Sequence, residues 1–432
     1  MEAIVKNNKR LIRSWAMFDW ANSAYNLVIT STIFPVYYTA ITTTKEHGDV
    51  VNFFGFEIVN TALSNFSLAV AYLLMSFSLP FISSYADAKG KKKQIMKFFT
   101  YIGAISCMCL FFFKLETLEV GIICFVLAAM GYIGGVLFNN SYLPLLATVD
   151  QQDRVSAQGF AYGYVGCVTL QVLCFIVVLK PTWFGITDPS LPARISFLMV
   201  GLWWLGFSMI PFKYLPKIDA TANNRGNNFI QNVKDEFNHV IQKIRGIPEI
   251  KQFLPAFFFY SIGVQTLMIV ASSFGEKILH LGAERLIATI LLIQLVAILG
   301  AFFMSYLSNL FGNIKVLIIV VMIWIGICIS AFYLSTPLQF YILAALVGLV
   351  MGGIQSLSRS TYSKLIPTDI KDTTAFFSFY DVTEKVAIVL GLFSFGLIEQ
   401  ITHNIRNSAL VLSLFFVIGL LLLVRILLSN KS

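Results

Sequence analysis

The sequence predicts an all-α polytopic membrane protein, with twelve transmembrane helices in two pseudo-symmetric six-helix bundles. Composition is the first observation behind this. Of 432 residues, 57% are hydrophobic and 12% are charged, whereas a soluble chain carries about 25% charged residues. Block length is the second. The apolar residues fall into a dozen runs of roughly 20, enough to cross ~30 Å of hydrocarbon as α-helix. The third is the division of these runs, six before and six after one long polar connection.

The runs place spans 1 to 6 at 15–42, 64–86, 96–113, 119–142, 157–179 and 194–212. Spans 7 to 12 follow at 253–275, 286–307, 314–335, 338–360, 374–398 and 408–428. Residues 1–212 and 253–432 are therefore expected to form the two bundles, joined by a linker at 213–252. Lys and Arg set the orientation. Of 31, 23 lie at the two termini and in the even-numbered connections, 7 in the odd-numbered ones, and one, Lys385, inside a span. Such an excess marks the cytoplasmic side, so both termini and the even connections are expected there. The net charge of +9 then reflects orientation rather than a phosphate-binding face, and no nucleic-acid partner is expected.

The six cysteines (Cys107, Cys109, Cys124, Cys167, Cys174, Cys328) lie in apolar runs without metal-ligand spacing. They read as reduced packing residues. The basic N-terminus leads into a full-length apolar run with no cleavage site, so no cleavable signal peptide is expected.

Within the linker, Phe229, Ile230, Val233, Phe237, Val240, Ile241 and Ile244 recur at helical spacing, with Lys234, Asp235, Glu236 and Lys243 between them. This predicts an amphipathic helix, either a strut between the bundles or a partner-binding surface. The halves also echo each other. Asp87-Ala-Lys-Gly90-Lys-Lys-Lys93 follows span 2, and Asn309-Leu-Phe-Gly312-Asn-Ile-Lys315 follows span 8. Gly134-Gly135 and Gly352-Gly353 form a second echo, read with Gly131 as sites of close helix approach.

Ionisable groups inside a bilayer cost at least ~2.5 kcal/mol each and tend to pair or to face a cavity. Asp19 near the start of span 1 is either a gate facing water or an interfacial Asp satisfied by backbone donors. Asn22 and Asn26 continue its stripe at i+3 and i+7, lining a pathway or joining helices by hydrogen bonds. Span 11 carries Asp381, Glu384 and Lys385, with Asp381 and Lys385 spaced to pair. That triplet is either self-neutralised packing, or a substrate-carboxylate site at Lys385 with Asp381 or Glu384 taking a coupling proton. Span 10 contributes Gln355 and Arg359 at i, i+4; Arg359 either snorkels and pairs with a loop carboxylate or forms a gate. Asn139 and Asn140 echo that position in span 4. In the loop after span 2, Asp87, Gly90, Lys91 and Lys92 suit a latch on the closed cytoplasmic face, although a basic run alone also anchors anionic lipid.

The Asp87–Lys93 loop resembles the loop motif of the major facilitator superfamily, with Ser83 where Gly is usual. Longer stretches resemble its autophagy-related vacuolar effluxer branch and that branch's bacterial relatives. They are Trp15-Ala-Met-Phe-Asp19-Trp20-Ala21-Asn22-Ser23-Ala24-Tyr25, Asn140-Ser-Tyr142-Leu143-Pro144, Arg154 through Tyr164, Tyr260 through Thr266, Gly352 through Ser360, and Phe376 through Lys385. The resemblance implies two six-helix halves with the substrate site between them at the midplane, and a role like that of fungal amino-acid effluxers. Gln265 and Gln355 enter as candidate cavity residues beside Asn22, Asn26, Asn140 and Lys385.

Together these readings predict a proton-linked secondary transporter of a small solute, acting as a monomer among membrane lipids without a cofactor. Location in a bacterial cytoplasmic membrane is expected from the short loops. No phosphate-binding G-x-x-x-x-G-K-[ST] loop is present, so ATP drive within the chain is not expected. The alternatives are a membrane-embedded enzyme, for which His47, His239, His280 and His403 are too scattered, and a non-transporting receptor or scaffold.

Overall fold

A bilayer offers no partner to an exposed peptide group, so each span must satisfy its backbone internally as helix. The computed structural model follows this rule. It describes residues 5–45, 47–218, 220, 238, 240–279, 281–368, 370, 372–402 and 404–429, excepting the side chains at 272–273, 276–277 and 283–284. Span 1 runs through Lys9–Ala24, Tyr25–Ile33 and Phe34–Thr42. Spans 2 to 6 are Asn60–Ala88, Lys92–Cys109, Leu118–Asn140, Gln152–Leu179 and Leu191–Tyr214. Spans 7 to 12 are Pro248–Leu279, Ala283–Phe311, Asn313–Phe332, Pro337–Leu365, Thr373–Thr402 and Ile405–Ser429. Eleven of these are each long and apolar enough to cross a membrane, and the three consecutive pieces of span 1 supply the twelfth.

Three features differ from the sequence reading. Most spans begin several residues earlier than hydropathy places them, because polar caps and charged first turns remain helical. Asn8, for example, accepts from the backbone of Arg10 and Leu11 and starts span 1 six residues ahead of the first apolar block. The connection after span 1, read as a loop, holds a hairpin: β1 Val50–Phe53 pairs antiparallel with β2 Phe56–Val59. Span 1 is also not one α-helix. Its middle, Tyr25–Ile33, is π-helical, and Ser31 Oγ donates to Asn26 O while Thr32 Oγ1 donates to Leu27 O, both five residues back.

Phe229, Ile230, Val233, Lys234, Asp235, Glu236 and Phe237 of the proposed linker helix lie outside the described residues. At its far end, Val240 and Ile244 are buried and join the core that includes Ile250, Phe253 and Phe257 of span 7.

Spans 1, 3, 4, 5 and 6 pack among themselves, as do spans 7, 8, 9, 10, 11 and 12. Across the two sets, span 2 packs on span 11, and span 5 on spans 8 and 10. Glycine permits the tightest of these approaches. A Cβ on Gly352 would collide with the Ala297 carbonyl of span 8. Gly352→Val is accordingly expected to push spans 8 and 10 apart at about 1–3 kcal/mol, read as a lowered melting temperature in detergent.

Candidate functional site

Two polar layers lie between the six-helix sets, one around the midplane and one toward the face that carries the even-numbered connections. The deeper layer centres on span 11. Lys385 is the thirteenth residue of Thr373–Thr402, roughly 18 Å along the helix. Its ammonium pairs with Glu384 Oε2 at 2.6 Å, and Gln265 of span 7 donates to Glu384 Oε1 at 2.8 Å. Here the structure corrects the sequence reading. Lys385 was expected to pair with Asp381 one turn away, but Glu384, held by Gln265, takes the ammonium. Asp381 is 1% exposed, and its Oδ2 has no hydrogen-bond partner among the described residues. Tyr72 of span 2 and Tyr132 of span 4, neither singled out by sequence, come within electrostatic reach of Lys385 and Glu384. Both are partly exposed. Toward span 5, Tyr164 donates to Gln355 Oε1 at 2.7 Å.

The second layer is built on a buried ion pair. Arg359 of span 10 reaches Asp19 of span 1, Nη1 to Oδ2 at 3.1 Å, and also donates to Asn140 Oδ1 at 3.0 Å. Its remaining donors go to Ser156, Nε to Oγ at 3.0 Å and Nη2 to the carbonyl at 2.8 Å. Asn139 donates to Asp19 Oδ1 at 3.1 Å, and its own carbonyl accepts from Trp15 Nε1 at 2.7 Å. The guanidinium lies 4.8 Å from the Trp15 ring and 4.2 Å from that of Phe160. Arg359 is 3% exposed, so it does not snorkel, and Asp19 at 8% is neither water-facing nor capped by backbone donors. Gly159 makes the space: a Cβ there would stand 2.6 Å from Asp19 Oδ2 and 2.7 Å from Arg359 Nη2.

Along the stripe from Asp19, Asn22 is buried with Nδ2 unpartnered among the described residues, and Asn26, in the π-helical stretch, is exposed.

Outside the ion pair, two junctions close the even-loop face. Asp87, at the end of span 2, accepts from Thr374 Oγ1 at 2.6 Å and from the Ala375 N–H at 2.9 Å, in the first turn of span 11 where helix donors are free. Lys92 stands 3.8 Å from Asp87 and donates to Thr373 Oγ1 at 2.6 Å. Gly90 turns the chain at φ +62°, and Lys91 stays local, donating to Tyr85. Lys91 is therefore not part of the crossing contact. The pseudo-symmetric junction joins the loop after span 8, where Gly312 has φ +85°, to the start of span 5. There Asp153 accepts from Ser308 Oγ at 2.9 Å, Asn313 Nδ2 at 2.7 Å and Lys364 Nζ at 2.6 Å. Sequence reading passed over Asp153, because an acid beside Arg154 at a helix start looks like an ordinary first-turn residue.

At the odd-loop face the corresponding hydrogen bonds stay within one set of spans. Tyr37 donates to Phe113 O and Arg194 to Phe111 O in the first set, and Arg406 to Phe332 O in the second. Among the described residues, the polar crossings thus bind the two sets from the even-loop face to the midplane and no further.

Arg359→Gln is expected to strand the Asp19 carboxylate in a dry site and destabilise the protein by about 3–5 kcal/mol. Adding Asp19→Asn should recover about 0.5–3 kcal/mol of that loss, measured as a double-mutant cycle of thermal unfolding in detergent.

The comparisons agree with this architecture. The family model described as "Vacuole effluxer Atg22 like" matches residues 7–432. A relative described as an uncharacterized MFS-type transporter, YxiO, from Bacillus subtilis, is 28% identical over 95% of this chain and 93% of its own length. Autophagy-related protein 22 of Kluyveromyces lactis is 26% identical over 83% of this chain and 78% of its own. Among solved structures, the major facilitator transporter FucP in its outward conformation superposes with TM-score 0.71 at 12% identity, covering 96% of this chain and 98% of that one. The human organic anion transporter MFSD10 gives TM-score 0.73 at 10% identity over 97% of this chain and 100% of its own. These relatives and neighbours are transporters rather than enzymes. The chain belongs to the Atg22-like vacuole effluxer family and has the twelve-helix fold of major facilitator transporters.

Proposed function

We propose that this transporter carries a small zwitterionic solute of amino-acid size across a bacterial cytoplasmic membrane, by alternating access and with a proton as coupling ion. Residues 1–212 and 253–432 would be the two moving units, 213–252 their tether, and both termini would be cytoplasmic. The observation that carries this reading is the midplane cluster. Lys385 offers a cation to a solute carboxylate, Glu384 and Gln265 flank it, and Asp381 supplies a carboxyl oxygen with no partner in this state. A carboxyl buried without a donor is stable protonated and releases its proton when water or a cation reaches it. The even-loop crossings support an outward-open assignment, in which Asp19–Arg359, with Asn140, forms the inner gate and Asp87 with Lys92 the latch. Gln355 and Asn26 would border the pathway, and Asn22 would sit behind it. The vacuolar effluxer family supports carriage of a small solute, and the cation excess marks the closed face as the cytoplasmic one.

Proteoliposomes separate the roles. Lys385→Ala is expected to weaken solute binding roughly 10- to 100-fold while the protein remains folded. Asp381→Asn should preserve exchange of solute across the membrane and lose accumulation driven by a pH gradient. Wild-type behaviour of both variants over an amino-acid panel would remove the site assignment. Gradient-driven accumulation by Asp381→Asn would remove the proton role alone.

A further inference from the structure

A separate cluster of cations sits at the even-loop edge of the first six spans, where three helix ends converge. Arg10 opens span 1, Lys93 and Lys97 occupy the first turns of span 3, Lys213 lies in the last turn of span 6, and Lys217 follows just beyond its end. The Tyr214 ring takes the Arg10 guanidinium at 4.3 Å and the Lys213 ammonium at 5.4 Å. Lys97 lies 5.6 Å from the Phe212 ring, and Lys93 donates to the Leu215 carbonyl at 2.5 Å. Lys97 and Lys217 are both near enough to Lys93 to repel its charge. Among the described residues none of these five cations is in an ion pair; Asp219 lies outside them. Like charges gathered this way raise the energy of the site until an anion enters.

The surroundings say which anion. Spans 3 and 6 pack side by side, and Tyr101 meets the edge of Phe212 at 6.0 Å. From there an apolar surface runs toward the midplane, with Phe98 at 58%, Ile105 at 50% and Leu202 at 55% exposure. Cations at the helix ends and bare hydrocarbon below them match the two parts of a phospholipid. We propose that this corner binds one anionic phospholipid, with its phosphate among Lys97, Lys213 and Lys217, Arg10 at the rim, and an acyl chain along Tyr101 and Ile105. The site is distinct from the transport pathway, since none of these residues touches the midplane cluster or the crossings.

The test uses the purified full chain in detergent, with phosphatidylglycerol, phosphatidylcholine or inorganic phosphate added, read by melting temperature and by bound lipid in native mass spectrometry. Phosphatidylglycerol is expected to stabilise the wild type, and the other two are not. Lys97→Gln/Lys213→Gln/Lys217→Gln should retain phosphatidylglycerol roughly 10- to 100-fold less well. The control Lys251→Gln/Lys315→Gln/Arg425→Gln, which removes equal charge from exposed positions on the second set of spans, should retain it as wild type does. Equal loss in the two triple variants would mean diffuse surface charge and overturn the site. Stabilisation by inorganic phosphate equal to that by the lipid would make it a soluble-anion site instead. Where the triple variant fails to fold, Lys217→Gln alone, exposed and outside any helix, should lose roughly fivefold; wild-type retention there also overturns the proposal.

Discussion

A guanidinium inside a bilayer must be answered by a charge and by enough acceptors to occupy its donors, and in this protein the answer comes from the other half of the chain. Arg359 and Asp19 are 340 residues apart in sequence. Their meeting requires spans 10 and 1 both to lie against span 5, close enough that position 159 has no room for a side chain. Asn139, Asn140, Ser156 and Trp15 are placed by the same requirement. The packing of the two six-helix sets at this level is therefore dictated by electrostatics as much as by shape, since separation without compensation would leave two charges in a medium that solvates neither.

The start of span 11 concentrates the remaining constraints. Four consecutive residues receive contacts from three directions: Lys243 of the linker reaches Asp372 at 2.8 Å, Lys92 of span 3 reaches Thr373, and Asp87 of span 2 takes Thr374 and Ala375. The matching junction at span 5 has its polarity reversed. In the first the carboxylate belongs to the end of span 2 and the donors to the start of span 11; in the second the start of span 5 provides Asp153 and the start of span 9 provides Asn313. A duplicated architecture keeps the contact while exchanging which side is acidic.

Much of this was legible in the sequence where a single residue is costly in its setting. Twelve apolar runs gave the fold class, and Arg359, Asp19, Asn140 and Lys385 drew attention because a bilayer penalises them. Their partners were less legible, because partnership across several hundred residues leaves no local spacing to read. Asp381 illustrates the limit of local rules: its i, i+4 relation to Lys385 is real, yet Gln265 from span 7 orients Glu384 and decides the pairing. The π-helical middle of span 1 has no clear compositional mark, since Tyr25–Ile33 mixes Asn26, Thr30, Ser31 and Thr32 with apolar residues, a mixture that hydropathy reads as ordinary span. The hairpin escaped because four-residue strands beside a span look like its frayed end.

One property of the even-loop crossings bears on how the membrane voltage acts. Asp19 with Arg359, Asp153 with Lys364 and Asp87 with Lys92 are each neutral as a unit, so the transmembrane field exerts little net force on the closed junctions. The midplane cluster is different: Glu384 takes the Lys385 ammonium, and Asp381 adds a second carboxyl group outside that pair. Under the proposed coupling, a field worth about 2.3 kcal/mol per elementary charge per 100 mV would act on this fold mainly through the proton on Asp381, and one turn of span 11 would set the molecule's electrical response.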